Sequence, residues 1–352
     1  MKSDHILIIR FSALGDVAMT VPVVYSLAKQ YPHLRITVLS RPFARPFFEN
    51  LAPNVGFMEA DIKKEYHGVK GLNALYRRLT AKNFTAIADL HAVLRSEYLR
   101  MRFNLDRYHS AHIDKHRNGK RRLISSTEKQ LVKQPSAFQN YADVFEKLGY
   151  PVKLGDFKSI FPETGGDLTT LPSVIGQKND GDKWIGIAPF AAHEGKIYPI
   201  RLMEQVISNL ISKDPHIRIF LFGKGEDEDK VFTEWCDRYK QCLYTRKYIS
   251  QLYDELILMS HLDVMLSMDS ANMHLASMVG TPVVSIWGAT HPYAGFMGWN
   301  QSEDNIIQID LPCRPCSIYG NKPCLRGDFA CLKNISPEQI IERLRIVLLR
   351  KV

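Results

Sequence analysis

Residues 262–292 read LDVMLSMDSANMHLASMVGTPVVSIWGATHP. Leu262–Met268 is a short apolar run that predicts a strand, Ser270–Val279 predicts a helix, and Pro282–Trp287 a second strand. Strand, helix and strand in succession form the unit of a parallel sheet with a right-handed crossover. Asp269 and Ser270 fall at the helix start, where the first backbone N–H groups lack intrahelical partners and the helix dipole is positive, an arrangement that binds phosphate. His274 lies one turn on, on the face of Ser270, with Ala271 between them. Asp-Ser before a helix is equally ordinary capping chemistry, and a histidine there is commonly structural.

Upstream the same alternation continues: Trp184–Pro189 strand, Leu202–Ser212 helix, Arg218–Phe222 strand, Ile249–Ser260 helix. The N-terminal half repeats it, with strands at His5–Phe11, Arg35–Ser40 and Phe84–Leu90 and an amphipathic helix over Ser136–Leu148. Pro22 either starts a helix or kinks one running from Asp16 to Gln30. The stretch 163–183 collects Gly, Pro, Asp and Thr without helical period and reads as a linker. The fold expected is α/β: two Rossmann-like domains, 1–165 and 183–352, joined by 166–182 and facing a central cleft. Ligands in such sheets sit beyond the carboxyl ends of the strands.

Other candidate residues follow strands. Ser12-Ala13-Leu14-Gly15-Asp16-Val17 comes directly after the first strand; Gly15 permits a tight turn and sets Asp16 at a helix start, as a cap or as a reactive carboxylate. One glycine is not the three of a dinucleotide fingerprint, which argues against a dehydrogenase. Phe190–Lys196 is a loop whose Lys196 either meets a diphosphate or is solvated. Phe222-Gly223-Lys224-Gly225-Glu226-Asp227 offers carboxylates to ribose hydroxyls or to helix capping.

Of 352 residues 45% are hydrophobic, enough to bury a large core, and the net charge of +9 favours anionic partners. No apolar run approaches the ~20 residues of a membrane span. The first strand is cut by Arg10 and carries no signal-peptide cleavage pattern, so a cytoplasmic protein is expected. Six cysteines do not make a secreted scaffold. Cys313, Cys316, Cys324 and Cys331, spaced C-x2-C-x7-C-x6-C, read as structural thiols in preference to a structural zinc site.

Taken in order, S-x-x-G-D-V, the lysine loop, F-G-K-G-E, and D-S-A-N-M-H-L-A followed by G-T-P-V-V-S-I-W-G-A-T-H-P resemble glycosyltransferase family 9, the ADP-heptose:lipopolysaccharide heptosyltransferases, over nearly the whole chain. Residues 84–96 (FTAIADLHAVLRS) are also similar, with His91-Ala92 where the family often has Gln-Gly, a departure that bears on acceptor contacts. The resemblance implies the GT-B architecture, an N-terminal domain for the acceptor and a C-terminal one for the nucleotide sugar. It implies inverting transfer of heptose from ADP-heptose with Asp16 as general base and Ser12, Gly15 and Arg95 at the acceptor. Lys196, Asp269, Ser270, Ala271 and His274 would serve the diphosphate or sugar and Glu226 or Asp227 the ribose, with no cofactor required. The alternatives are a transferase using another nucleotide sugar, a sugar-nucleotide epimerase, or a non-catalytic glycan- or nucleotide-binding protein. Between Arg95 and Arg122, nine Lys/Arg face three acids, either a solvated surface or a platform for an anionic lipid-linked glycan and the inner membrane. No nucleic-acid motif accompanies them, and no nucleic-acid partner is expected.

Overall fold

Each half of the chain builds its own parallel sheet. The computed structural model describes residues 4–350 and divides into two compact units, Met1–Lys115 with Pro135–Ile160 and His116–Gln134 with Phe161–Val352.

The first unit holds β1 (His5–Ile9), β2 (Arg35–Ser40), β3 (Val55–Glu59), β4 (Ala86–Asp89) and β5 (His109–His112), in the order β3-β2-β1-β4-β5 with every pairing parallel. The second holds β6 (Lys183–Ala188), β7 (Ile217–Leu221), β8 (Cys242–Tyr244), β9 (Val264–Met268), β10 (Val283–Ile286) and β11 (Ile306–Ile307), in the order β11-β10-β9-β6-β7-β8, again all parallel. Both are doubly wound. In each, the unit's first strand lies between its second and its fourth, so the winding reverses at β1/β4 and at β6/β9. In doubly wound sheets, loops leaving the carboxyl ends at such a reversal diverge, and ligands bind there.

The strands form where the sequence is apolar without alternation. All five residues of β1 and all five of β9 are buried, as strands covered on both faces require. In the first unit Leu7, Ile9, Leu39 and Ile87 pack under Leu75, Leu79, Leu99 and Phe103 of two covering helices. In the second, Ile185, Ile187, Ile219 and Leu266 meet Met203, Val206 and Leu210 of the helix Ile200–Lys213 and Leu344 of Pro337–Leu349. Each such side chain contributes about 1.5–3 kcal/mol on burial.

Pro22 starts a helix: Leu14–Ala18 is a separate short helix, and Val21–Gln30 carries Pro22 in its first turn, where no N–H is needed. Ser136 caps Ala137–Lys147, its hydroxyl accepting from the Gln139 N–H. The polar stretch after Phe161 lies on the second unit. Gly166 N–H donates to Ser260 Oγ at 2.9 Å, Lys178 meets Asp263 at 2.7 Å, and Ile175 is fully buried. Residues 116–134 also group with the second unit, through Lys129 Nζ donating to the carbonyls of Cys313 (2.9 Å) and Pro315 (2.7 Å) and through Leu123 packing on Ala294 and Ile318. Among the described residues no helix is long and apolar enough to cross a membrane.

Candidate active site

At the β1/β4 reversal the chain leaves β1 through Arg10, whose N–H bonds Leu39 O, and turns into the helix Leu14–Ala18. Gly15 is buried in that turn and Asp16 is the third helical residue. The Asp16 carboxylate reaches back to the Ala13 N–H at 3.1 Å and accepts from Arg10 Nη2 at 2.7 Å, both through Oδ2. Its Oδ1 takes no hydrogen bond from any described residue. The Arg10 side chain is 8% exposed, that of Asp16 33%. Arg10 Nη1 donates to Leu90 O at 2.7 Å, which anchors the guanidinium to the end of β4. Burial works against the Arg10 charge, but Tyr141, Asp16 and Asp89 outweigh it and raise its pKa. A fixed cation therefore holds the carboxylate, leaving one oxygen toward solvent.

The neighbouring β4 turn is equally organised. Asp89, fully buried, accepts from the N–H groups of His91 and Ala92, each at 2.9 Å, and Arg100 Nε stands 3.5 Å from its other oxygen. His91 is thereby placed over the β1 turn: its Nδ1 accepts from Phe11 N–H at 3.4 Å, and its Nε2 lies 3.4 Å from Ser12 Oγ. Burial, then Arg10 and Lys115, lower the His91 pKa to about 3, so the ring is neutral at pH 7. With Nδ1 accepting, the proton sits on Nε2 and faces Ser12. Arg10, Asp89 and His91 were not among the sequence candidates. Their signals were a cation interrupting HILIIRF and an acid ending FTAIAD. Arg95 is exposed, in the first turn of the next helix, Leu94–Leu105.

At the β6/β9 reversal the polarity is opposite. Lys196 ends a short 3-10 turn, Glu194–Lys196, and its Nζ lies 3.1 Å from Asp269 Oδ2 at the end of β9. Here the carboxylate is the buried partner, 7% exposed, and the lysine is 16% exposed. Ser270 is the N-cap of Ala271–Met278, but its hydroxyl meets Ser267 Oγ at 3.2 Å and makes no side-chain cap. The first-turn N–H groups, beginning at Ala271, thus receive no side-chain cap from Ser270 and stand beside Lys196 and Asp269. His274 is buried one turn on.

Glu226 and Asp227 are both exposed in the first turn of Glu226–Arg238, after β7. The next carboxyl, Glu228, is half-buried with its pKa raised by burial, and Asp229 accepts from Tyr244 OH. The four clustered cysteines line one small cavity with Arg314, Lys322 and Arg326. All four are free thiols, and burial raises the pKa of Cys331 to about 11. Among the described residues no group of three or more His, Cys, Asp or Glu stands ready to hold a metal ion. The basic segment 95–122 is divided between the two units. Several of its cations serve the fold: Arg102 donates to Asn73 and covers the Tyr76 ring, Lys115 donates to Ala92 O at 2.9 Å, and Lys120 lies over Phe296.

Residues 72–323 match the family model described as glycosyltransferase family 9 (heptosyltransferase). The chain belongs to this family. Similar proteins include the lipooligosaccharide heptosyltransferase 2 of Campylobacter jejuni, 26% identical over 175 residues, 48% of this chain. The match spans about half (52%) of that relative's length. The lipopolysaccharide heptosyltransferase 1 of Campylobacter coli is 24% identical over 97% of this chain and 98% of its own. Among solved structures, the E. coli heptosyltransferase WaaC with ADP superposes with a TM-score of 0.65 at 18% identity, covering 97% of this chain and 99% of WaaC. The family fold, two parallel α/β units of GT-B type, is the one described above.

Proposed function

We propose that this family 9 protein transfers a heptose from ADP-heptose to an anionic, lipid-linked lipopolysaccharide core acceptor, with inversion at the anomeric carbon. The observation that carries the reading is the opposed polarity of the two reversal points. One presents a carboxylate backed by a buried arginine, the other a lysine backed by a buried carboxylate. An inverting transfer needs a base for the acceptor hydroxyl and positive charge for the departing diphosphate.

In this reading Asp16 Oδ1 takes the acceptor proton as the hydroxyl oxygen attacks the anomeric carbon. The C–O bond to the diphosphate breaks with its electron pair leaving on ADP. Lys196 and the N–H groups at Ser270 and Ala271 meet that charge, Asp269 aims the lysine, and His274 lines the sugar side. Glu226 or Asp227 holds the ribose. Ser12, kept in place by the neutral His91, Gly15 and Arg95 hold the acceptor. The ADP-bound relative supports the donor class, and the lipopolysaccharide and lipooligosaccharide heptosyltransferases support the acceptor class. The exposed cations of 95–122 suit peripheral contact with the anionic face of a membrane carrying that acceptor.

The test is to incubate the full chain with ADP-heptose and a heptose-deficient core acceptor and follow the acceptor by mass spectrometry. A gain of one heptose, with ADP released in equal amount, is expected. Tighter binding of UDP- or GDP-sugars than of ADP-heptose would overturn the donor assignment, and ADP release without acceptor growth would overturn the acceptor.

A further inference from the structure

Lys196 is aimed by more than Asp269. Three loops of the second unit meet around Gly195 and Lys196, and each brings a glycine. Gly195 precedes it, Gly288 follows β10, and Gly320 lies in the cysteine-bearing loop. Ala289 N–H donates to Gly195 O at 2.8 Å, and Cys316 N–H donates to Ala289 O at 3.0 Å, so the three backbones are laced together. A Cβ on Gly195 would come 2.9 Å from Gly320 O, and one on Gly288 2.7 Å from Gly195 O. A Cβ on Gly320 would stand 2.5 Å from Lys196 Cδ and clash with Cγ. The Gly195 and Gly288 positions are closed by main-chain oxygens and by the Ala289 and Leu332 side chains, and the Gly320 position by the lysine stem itself, so none has room for a larger residue.

The loop carrying Gly320 is itself pinned. Arg314, buried, donates from Nε to Gly288 O at 2.6 Å and from Nη2 to Trp287 O at 3.2 Å, Thr290 O at 3.0 Å and Gln308 Oε1 at 3.0 Å. Ser317, also buried, accepts the Gly320 N–H at 2.9 Å and donates to Asn321 Oδ1 at 3.1 Å. Gly320 is thus fixed with respect to the turn after β10 and, through it, to Lys196.

We infer that Gly320 is a positioning residue for Lys196: its missing side chain is what lets the lysine stem lie where Nζ meets Asp269 and the start of the helix Ala271–Met278. The inference rests on the proposed role of Lys196 at the donor diphosphate. A methyl group at position 320 pushes the stem away, and the ammonium leaves its place. Cys316 acquires a role from this, its N–H tying the loop that carries the glycine to Ala289 O.

The experiment uses the full chain, ADP affinity by calorimetry and donor and acceptor KM in the transfer assay. Gly320→Ala is expected to weaken ADP binding at least fivefold and to raise the donor KM in step, leaving the acceptor KM unchanged. Because Gly320 has φ +78°, alanine there also strains the backbone. Gly327, in the same loop at φ +74° with open space around its Cβ position, supplies the control. Gly327→Ala should stay within twofold of wild type. In a Lys196→Ala background Gly320→Ala should change ADP affinity less than twofold, since the stem it displaces is gone. Equal losses from Gly327→Ala, or an undiminished effect of Gly320→Ala without the lysine, overturn the inference. If Gly320→Ala does not fold, Ser317→Ala replaces it. A two- to threefold weakening that vanishes in the Lys196→Ala background supports the inference, and one that persists overturns it. Unaltered ADP affinity in Lys196→Ala alone would instead sink the donor reading, whereas a weakened Lys196→Ala beside a wild-type-like Gly320→Ala would sink only the positioning.

Discussion

The two reversal points use the same pair of charges in opposite ways. At β1/β4 the cation is buried and anchored, and the carboxylate is a third exposed; at β6/β9 the carboxylate is the more buried and the lysine the more exposed of the pair. Doubly wound sheets place a ligand crevice at both points, but winding says nothing about which charge faces the ligand. That is set by burial: Arg10 is 8% exposed against 33% for Asp16, and Asp269 7% against 16% for Lys196. In the proposed reaction the more buried member of each pair is the scaffold and the other the reagent.

Exchanging reagent for scaffold should separate the two regions kinetically. Asp16→Ala is expected to lower kcat roughly 10²–10⁴-fold, the usual worth of a general base, with ADP affinity within twofold of wild type. Lys196→Ala should do the reverse at the binding step, weakening ADP about 10- to 100-fold, since a hydrogen bond to a charged group is worth about 1.5–3 kcal/mol. Titration calorimetry beside the transfer assay reads both, and a loss of ADP binding in Asp16→Ala would erase the distinction. Arg10→Lys tests the scaffold. Lysine offers one nitrogen in place of the two that reach Asp16 and Leu90 O, so the carboxylate is held less rigidly and kcat should fall about tenfold at unchanged donor KM.

The smallest expected effect is on stability, and it also has opposite signs. His91 has its pKa lowered to about 3 by burial and by Arg10, so it stabilises the fold above its unfolded value near 6.5, and that contribution is lost as pH falls toward 3. Glu255, on the helix Leu252–Ser260 of the second unit, is pushed up to about 7 by burial. Its contribution is complete below the unfolded value near 4.5 and is lost as pH rises through 7. His91→Asn should flatten the Tm profile between pH 6.5 and 3, and Glu255→Gln between pH 4.5 and 7, each by a few degrees in scanning calorimetry. Unchanged slopes would show that neither group titrates as its burial requires.

The strands read from apolar runs are present to within a residue or two, because a strand buried on both faces must be continuously apolar. The short edge strands were not legible. Cys242–Tyr244 has three residues and Ile306–Ile307 two, too few to carry a period. Asp16, Lys196 and Asp269 are legible because each lies in the segment that leaves the carboxyl end of a strand. Asp89 falls inside the apolar run 84–90 and reads as part of that strand, and His91 is visible only as a departure from the family pattern. The hydrogen bonds from His91 and Ala92 back to Asp89 are a local turn, but the His91 ring meets Phe11 N–H and Ser12 only once β4 lies beside β1.

What the linear order decided is the alternation of strands and helices, the positions where reactive groups leave the sheets, and the family. All three depend on local pattern and motif succession, which need no knowledge of neighbours in space. What only folding decided is which charge is held and which is offered, that residues 116–134 join the second unit, and that a glycine more than a hundred residues downstream cradles Lys196. Those are set by contacts between segments remote along the chain. Burial and hydrogen bonding act on whatever the tertiary structure brings together, and no local window of sequence encodes that choice.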